Sequence, residues 1–352
     1  MITLKDKYII LFKNIFLLFL HRISLKNNGQ IIWGRSPYLD YGPGERTRRL
    51  KKAIENSSIN DVFIYMQSHW PWYEIVIYIF FAKLLNIKII FNQNGVYTKS
   101  YNKHYKLYNT ILFFGLLSSN FIIYQSWFCK ESLFKVCPKI IKNNIDNKRS
   151  SRLLNPAIDM KIINTYNYEK RHKVIICKHF NKDLTYYSRY IYDLINQIHK
   201  LDEIIEIYIV GNIANNLKKD EIENLNKIEK LKIFNFLKNN QILKFLNEST
   251  IAIHLNYGDP CPNFISEAIS LGIPCILNET GGAKEIAMNA SIVLENKLNI
   301  NGFPMPKMND VIKSLEKMII NYKSFNKFAF ERAEQLSLKK YALKHKSILK
   351  RL

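Results

Sequence analysis

The chain has 352 residues, 47% of them hydrophobic, which is enough for two domains that each bury a core. Its 52 Lys and Arg against 29 Asp and Glu give a net charge of +23, spread over nearly the whole length. This charge favours polyanionic partners, unless the lysines only form a solvated surface. Five cysteines without a C-x-x-C pair argue against a disulfide framework or a zinc site and fit a reducing cytosol.

Residues 8–20 form the only early apolar run, and Lys13 and Asn14 interrupt it. The run is too short to span a bilayer, and no small-residue cleavage site of a signal peptide follows it. Two interpretations stay open. The segment either lies on a membrane surface, held by its aromatic residues and flanking cations, or forms a first helix packed on the core.

The first half alternates short β-rich apolar runs with helical stretches, which is typical of a parallel sheet with helices on both faces. Strands are predicted at 30–34, 61–66, 87–92 and 120–125, and helices at 44–55, 73–86 and 105–117. The polar stretch 139–172 then predicts a crossing between domains.

The second half repeats the alternation, so we predict an α/β protein of two doubly wound units facing each other. Its predicted elements are strands at 173–178, 204–211, 231–236, 250–255 and 274–277, with a helix at 184–199. The predicted domains are 1–165 and 166–325, followed by a helical segment, 326–352, expected to pack back on the first domain.

Residues 259–286, DPCPNFISEAISLGIPCILNETGGAKEI, combine features that suit one ligand. Pro262 opens a helix after the strand and loop, and a helix N-terminus favours an anion. Asp259 and Glu267 can reach the same crevice, while Gly281 and Gly282 let the backbone approach a ligand. Backbone N–H groups for a diphosphate and carboxylates for hydroxyl groups suit a nucleotide-diphosphate sugar. An ordinary strand–helix–strand unit with an exposed Asp and Glu is the alternative.

The run D-P-x-P-N-x-x-x-E-A resembles the donor-binding signature of retaining glycosyltransferases of family four, whose GT-B fold has two Rossmann-like domains with a cleft between them. The resemblance implies that Glu267 contacts the donor's ribose and that Asp259 contacts the transferred sugar as a catalytic residue. It also implies that Gly281 and Gly282 lie near the diphosphate. Glu is commonest in the family where Asp259 stands, which bears on the identity of the sugar.

The same resemblance extends the predicted donor site to the helix start and to the strand that ends at residue 178. Family members place an Arg and a Lys after that strand, and Lys178 and Lys182 are the candidates here. Because the D-x-D motif is absent, neither a metal nor another cofactor is expected beside the nucleotide sugar. At the helix start the predicted donor-binding residues are Pro262, Asn263 and Phe264.

In the first half, three short segments resemble the acceptor side of the same family. Gly42 and Gly44 resemble its Gly-rich loop, and Asn94 and Gly95 resemble a turn that borders its cleft. His69, at a strand end among aromatic residues, is predicted to contact the acceptor or the sugar as a second catalytic residue. The alternative interpretation is that His69 has a purely structural role.

The resemblance implies retaining, metal-independent transfer of a sugar to a hydroxyl group of a glycan or lipid-linked acceptor, in synthesis of a bacterial surface polysaccharide. The cationic surface further predicts an anionic membrane as a partner. We therefore expect a cytoplasmic protein at the inner membrane face, and no nucleic-acid partner. A nucleotide-sugar epimerase or hydrolase using His69 or His179 is the first alternative. A basic nucleic-acid-binding protein is the second, although no motif for it is evident.

Overall fold

The computed structural model describes residues 9–16, 30–34, 37, 42–54, 61–98, 103–158, 171–178, 185–235, 237–295, 297–298 and 304–352. The chain divides into two compact units. The first unit is Met1–Pro156 with Leu338–Leu352, and the second is Ala157–Ser337. Each is a parallel α/β sheet with helices, as the sequence pattern predicts.

The first unit contains a parallel sheet whose strands follow one another in chain order. The strands are β1 (Ile31–Ile32), β2 (Phe63–Gln67), β3 (Lys88–Gln93), β4 (Phe121–Tyr124) and β5 (Ser150–Arg152). The helices are α1 (residues 9–16), α2 (Gly42–Ile54), α3 (Trp72–Leu84), α4 (Tyr105–Ser118), α5 (Trp127–Val136), α6 (Lys139–Asp146) and, from the chain end, α14 (Leu338–Arg351).

Successive side chains of β2 enter different hydrophobic cores on the two faces of this sheet. Ile64 and Met66 lie in the core that α1, α3 and α4 cover, whereas Phe63 and Tyr65 lie in the core that α2 and α14 cover. A strand buried on both faces needs apolar residues at every position, because its side chains point alternately to either side. This is why residues 62–66 form a continuous apolar run.

Residues 139–152 belong to this sheet and its helices, so the prediction that a domain crossing begins at 139 was wrong. They form α6 and β5, and β5 pairs with β4 in parallel, with Ser150 opposite Ile122. The strand Ser-Ser-Arg has no apolar rhythm because it lies at the sheet edge, exposed at Ser150 and Arg152. Its pairing with β4, rather than its own propensity, makes it a strand.

The second unit contains a six-stranded sheet in the order β11-β10-β9-β6-β7-β8. The strands are β6 (His172–Cys177), β7 (Ile204–Val210), β8 (Leu231–Phe234), β9 (Ile251–His254), β10 (Cys275–Asn278) and β11 (Ser291–Leu294), beside a small antiparallel pair, β12 (Lys297–Leu298) and β13 (Pro304–Met305). The helices are α7 (Thr185–Ile198), α8 (Lys219–Asn226), α9 (Asn239–Glu248), α10 (Asn263–Ser270), α11 (Ala283–Ala287), α12 (Met308–Ile320) and α13 (Tyr322–Gln335).

The segment 326–352, predicted as one helical stretch, is broken at Leu336 and Ser337. Helix α13 ends there, and α14 begins at Leu338. In the first unit, α14 buries Ile348 in the same core as Leu50 of α2. The chain therefore passes from the second unit back to the first in the short break between these helices.

His345 of α14 makes the stability of the first unit depend on pH. Its Nδ1 lies 3.0 Å from the Tyr341 carbonyl oxygen, so this nitrogen donates, and Nε2 accepts from the Tyr65 hydroxyl at 3.1 Å. Burial disfavours the imidazolium and lowers the pKa of His345 to about 4. The unfolded chain binds this proton near pH 6.5, so stability falls as the pH drops from about 6.5 to about 4.

We expect His345→Gln to remove up to about 3 kcal/mol of that pH-dependent loss, because glutamine keeps a donor and an acceptor but does not titrate. Urea unfolding of the wild type and the variant at several pH values measures it. His104→Gln, at an exposed histidine of the same unit, is the matched control. If wild type and His345→Gln lose stability in parallel between pH 6.5 and 4, His345 does not carry the effect.

Candidate active site

The carboxyl ends of three adjacent strands of the second unit hold most of the predicted donor residues. Strands β6, β9 and β10 are neighbours, and the chain order reverses between β6 and β9. In open parallel sheets ligands bind at such a reversal, because the loops on either side diverge and leave a crevice. Lys178 follows β6, Asp259 lies in the loop after β9, and Gly281 lies in the loop after β10.

Asp259 and Gly281 hold the second and third of these loops together through their backbones. The two residues form an isolated parallel bridge, in which the Gly282 N–H donates to the Asp259 carbonyl at 2.8 Å. One pair earlier, the Gly258 N–H donates to the Thr280 carbonyl at 3.0 Å. Gly281 has φ +134°, and a Cβ there would stand 2.7 Å from the Asp259 carbonyl oxygen. The glycine is therefore required by the contact with Asp259 itself.

Glu267 lies in the second turn of α10 and is only 2% exposed. The sequence pattern left Glu267 free to face away from the core, but every residue from 264 to 270 of this short helix is buried. The Asn239 side-chain amide, at the start of α9, donates to Glu267 Oε1 at 3.0 Å. Burying a carboxylate is costly unless hydrogen-bond donors surround it, and Asn239 supplies one such donor.

The start of α10 is the anion-favouring end of that helix. Pro262 occupies the capping position with extended backbone, and its ring offers no capping oxygen. Asn263 is the first helical residue, and the buried Phe264 ring lies 6.0 Å from the His254 ring, centroid to centroid. The positive end of the helix dipole therefore points into the region where the three strands end.

Lys178 is the cation that the structure describes at the end of β6. Its Nζ lies 3.3 Å from the centroid of the Tyr187 ring. Burial lowers the pKa of Lys178 to about 8, and the nearby charge of Asp259 partly offsets this effect. The pKa of the Cys177 thiol is raised, mainly by burial and further by the negative charge of Glu267. The end of β6 thus lies within the electrostatic reach of both predicted carboxylates.

His254, the last residue of β9, is a member of this group that the sequence analysis missed. Its Nε2 lies 3.4 Å from Asp259 Oδ2, and the side chain is buried. Neither ring nitrogen makes a well-directed hydrogen bond to any residue that the structure describes. A histidine closing the apolar strand Ile-Ala-Ile-His, shortly before Asp259, was the signal that could have found it.

The predicted acceptor-side residues belong to the first unit, where two of them meet. Asn94 Nδ2 lies 3.4 Å from His69 Nδ1, and the Asn94 N–H donates to Ser68 Oγ at 3.1 Å. The Gly95 carbonyl accepts from the Gln93 amide at 2.7 Å. Residues 69 and 94–95 follow β2 and β3, so they share one edge of the first sheet.

Of the remaining predicted residues, two lie at the start of a helix of the first unit and one lies outside the described part of the chain. Gly42 and Gly44 lie in the first turn of α2, and Gly44 is buried. Lys182 is not among the residues that the structure describes. Within the described residues, no group of three His, Cys, Asp or Glu side chains could hold a metal ion.

A comparison with protein families bears directly on this region of the second unit. Residues 166–331 match the family model for group 1 glycosyl transferases. The matched segment contains all of β6 to β11 with α7 to α12, and hence every strand end described above. No protein with a curated function matches the chain in sequence.

Solved structures share the fold over most of the chain. A crystal structure of Anabaena HepE in complex with UDP and glucose is 11% identical, with a TM-score of 0.61, and the match covers 87% of this chain and 81% of that one. Sucrose-phosphate synthase from Thermosynechococcus elongatus is 11% identical with a TM-score of 0.60, over 88% and 80% of the two chains.

A third relative in structure is the trehalose 6-phosphate synthase from Burkholderia multivorans, 10% identical with a TM-score of 0.56, over 90% of this chain and 78% of that one. At such low identities the likeness concerns the fold alone. The protein has the GT-B fold, two Rossmann-like α/β domains, as the sequence resemblance implied.

Proposed function

We propose that this protein is a glycosyltransferase that moves a sugar from a nucleotide-diphosphate sugar to a hydroxyl group of an acceptor. One observation carries the proposal. The second unit brings Asp259, Glu267, Gly281 and Lys178 to adjacent strand ends at the point where the sheet order reverses, inside the segment that matches group 1 glycosyl transferases. Two carboxylates, one cation and a helix N-terminus suit a ligand with hydroxyl groups and a diphosphate.

Each residue has a distinct role in this proposal. The buried Glu267 accepts hydrogen bonds from the ribose hydroxyls, and Asp259, closer to solvent, contacts the transferred sugar. Lys178 and the α10 N-terminus neutralise the departing diphosphate without a metal ion, and Lys182 is proposed to assist them. His254 lies against Asp259 and orients its carboxylate.

We propose transfer with retention at the anomeric carbon. The bond between that carbon and the diphosphate oxygen breaks, and a bond to the acceptor oxygen forms on the same face of the sugar. The acceptor's proton moves to the leaving phosphate oxygen, so no protein base is needed. The protein contributes by positioning and by stabilising the charge that develops on the diphosphate.

The acceptor is proposed to be a glycan or a lipid-linked glycan of a bacterial surface polysaccharide, made at the inner membrane face. The net charge of +23 supports an acceptor at an anionic surface. His69, Asn94 and Gly95, with Gly42 and Gly44, are proposed to contact it. Because HepE was crystallised with UDP-glucose, uridine diphosphate sugars are the first donors to test.

A thermal-shift panel of uridine-, guanosine- and adenosine-diphosphate sugars tests the donor part of the proposal. One nucleotide class should raise the melting temperature and the others should not. Incubation with that donor should then release the nucleoside diphosphate only when an acceptor is present. Stabilisation by none of the donors would overturn the proposal, and release of a free or epimerised sugar without acceptor would favour a hydrolase or an epimerase.

Lys178 should make donor binding depend on pH. With its pKa lowered to about 8, the free amine loses its proton as the pH rises above that value, whereas a bound diphosphate favours the charged form. We expect proton uptake when a nucleoside diphosphate binds just above pH 8, and weaker binding at higher pH. Isothermal titration calorimetry in two buffers of different ionisation enthalpy measures the uptake.

Lys178→Met should abolish this proton uptake and weaken nucleoside diphosphate binding about tenfold, the loss of one charge-assisted hydrogen bond. Lys313→Met, at an exposed lysine on α12 of the same unit, is the matched control. Equal proton uptake by the wild type and the Lys178 variant would remove Lys178 from the diphosphate site.

A further inference from the structure

Helix α1 exposes an apolar stripe although its other side packs on the core. Ile9, Phe12 and Phe16 are exposed, with Phe12 78% accessible, whereas Leu11 is buried in the first core. Asn14 donates from its side-chain amide to the Tyr78 hydroxyl of α3 at 3.0 Å, which places α1 beside α3. Packing on the core and an outward apolar stripe thus coexist on one helix.

Helix α3 repeats this arrangement over its whole length. Trp72, Val76, Phe80 and Leu84 recur every fourth residue and all are exposed, with Phe80 61% accessible. The inward side is already occupied by buried residues such as Tyr78. Such a helix is apolar on both sides, and burial in this unit accounts for only one of them.

Helix α4 packs beside α3 and continues the same face. Leu107 and Phe114, two turns apart, are exposed on it, while Leu112 and Leu116 are buried. We call the exposed stripes of α1, α3 and α4 the apolar face. All three helices cover the same side of the first sheet, so their stripes belong to one side of the unit.

The exposed charged residues described on these helices are all cationic. The described residues of α1 and α4 include no carboxylate, and the only one on α3, Glu74, is buried. Exposed lysines accompany the stripes at Lys13, Lys83 and Lys106. Aromatic and aliphatic residues with lysines and without exposed acids are typical of helices that lie in the interface of an anionic membrane. Each such lysine contributes about 1 kcal/mol near an anionic surface.

The helices are too short to do more than lie on a bilayer. Helix α3 has 13 residues and α4 has 14, or about 20 Å each, against roughly 30 Å of hydrocarbon. Among the described helices none is long and apolar enough to cross a membrane. We propose that the apolar face docks the first unit on an anionic lipid bilayer, with the aromatic rings at headgroup depth and the lysines on the lipid phosphates.

Vesicle sedimentation tests the docking surface without any donor or acceptor, so its result is separate from that of the transferase assay. The wild type should bind vesicles of phosphatidylcholine with phosphatidylglycerol much more tightly than vesicles of phosphatidylcholine alone. The triple variant Phe12→Ser, Phe16→Ser and Phe80→Ser should lower the partition coefficient at least about tenfold. Lys83→Gln with Lys106→Gln should lower only the part that depends on anionic lipid.

Ile320→Ser is the matched control, because Ile320 is 81% exposed but belongs to the second unit. It should bind vesicles like the wild type. The triple variant should keep the far-UV circular dichroism spectrum and the cooperative thermal unfolding of the wild type, which shows that it folds. Unchanged vesicle binding by the triple variant overturns the proposal. So does a wild type that ignores vesicles but forms a dimer that the triple variant dissociates, since the apolar face would then join two copies.

Discussion

Glu267→Gln is expected to weaken nucleoside diphosphate binding about 10- to 100-fold while leaving the protein folded. The substitution keeps the shape of the side chain but removes the charge that would receive hydrogen bonds from the ribose hydroxyls. Loss of hydrogen bonds to a charged group costs about 1.5–3 kcal/mol. Isothermal titration calorimetry measures the change with the nucleotide that stabilises the wild type most.

Inorganic pyrophosphate separates a ribose contact from a general disturbance of α10. It carries the diphosphate without the ribose, so Glu267→Gln should bind it as tightly as the wild type does. Glu316→Gln, at an exposed glutamate on α12, is the matched control for the substitution. Equal weakening of pyrophosphate and nucleotide binding would show that Glu267 supports the helix rather than contacting the ribose.

Gly281→Ala is expected to reduce both stability and diphosphate binding. The added Cβ would stand 2.7 Å from the Asp259 carbonyl oxygen, on a residue whose φ of +134° is unfavourable for any side chain. Relief requires the two loops to separate, which breaks the backbone bridge and moves Asp259. Such strain costs about 1–3 kcal/mol, which urea unfolding would register as an earlier midpoint.

Gly282→Ala is the stability control, because the neighbouring glycine has φ −87° and ψ −3°, a conformation that alanine adopts without strain. Its unfolding midpoint should change less than that of Gly281→Ala. For binding, the readout is pyrophosphate affinity, which we expect Gly281→Ala to lower about tenfold. A Gly281→Ala protein with wild-type stability and affinity would show that the bridge does not hold the site in place.

Central strands of both sheets could be predicted because buried strands consist mostly of apolar residues. The runs 61–66 and 87–92 are mostly apolar, and the strands Phe63–Gln67 and Lys88–Gln93 fall within two residues of them. Strand β5 could not be predicted in this way. Its residues are polar, and the free edge of β4 decides that they pair. An edge strand forms because the neighbouring strand offers unpaired backbone N–H and C=O groups. The sequence of the edge strand itself does not show this.

Within the candidate site, residues close in sequence were predicted together and distant ones were not. Asp259 and Glu267 share one loop and helix, so their spacing alone relates them. Asn239 and His254 reach the same carboxylates from other elements. The Gly-Gly turn was predicted to be important because it lacks side chains. The expected reason was that a ligand could approach its backbone. The structure shows that Gly281 first of all makes room for the backbone of Asp259.

By itself, the sequence determined the two α/β domains, the close spacing of Asp259 and Glu267, and the helix that begins after Pro262. These features follow from local composition and spacing. The spacing of apolar residues, prolines and glycines determines secondary structure within a few residues along the chain. Only the tertiary structure decided that Asp259 raises the pKa of Lys178 and that His254 lies next to Asp259. The burial of Glu267 was likewise decided there. Strand order sets these relations, because placing β6 beside β9 joins segments that lie far apart in the chain.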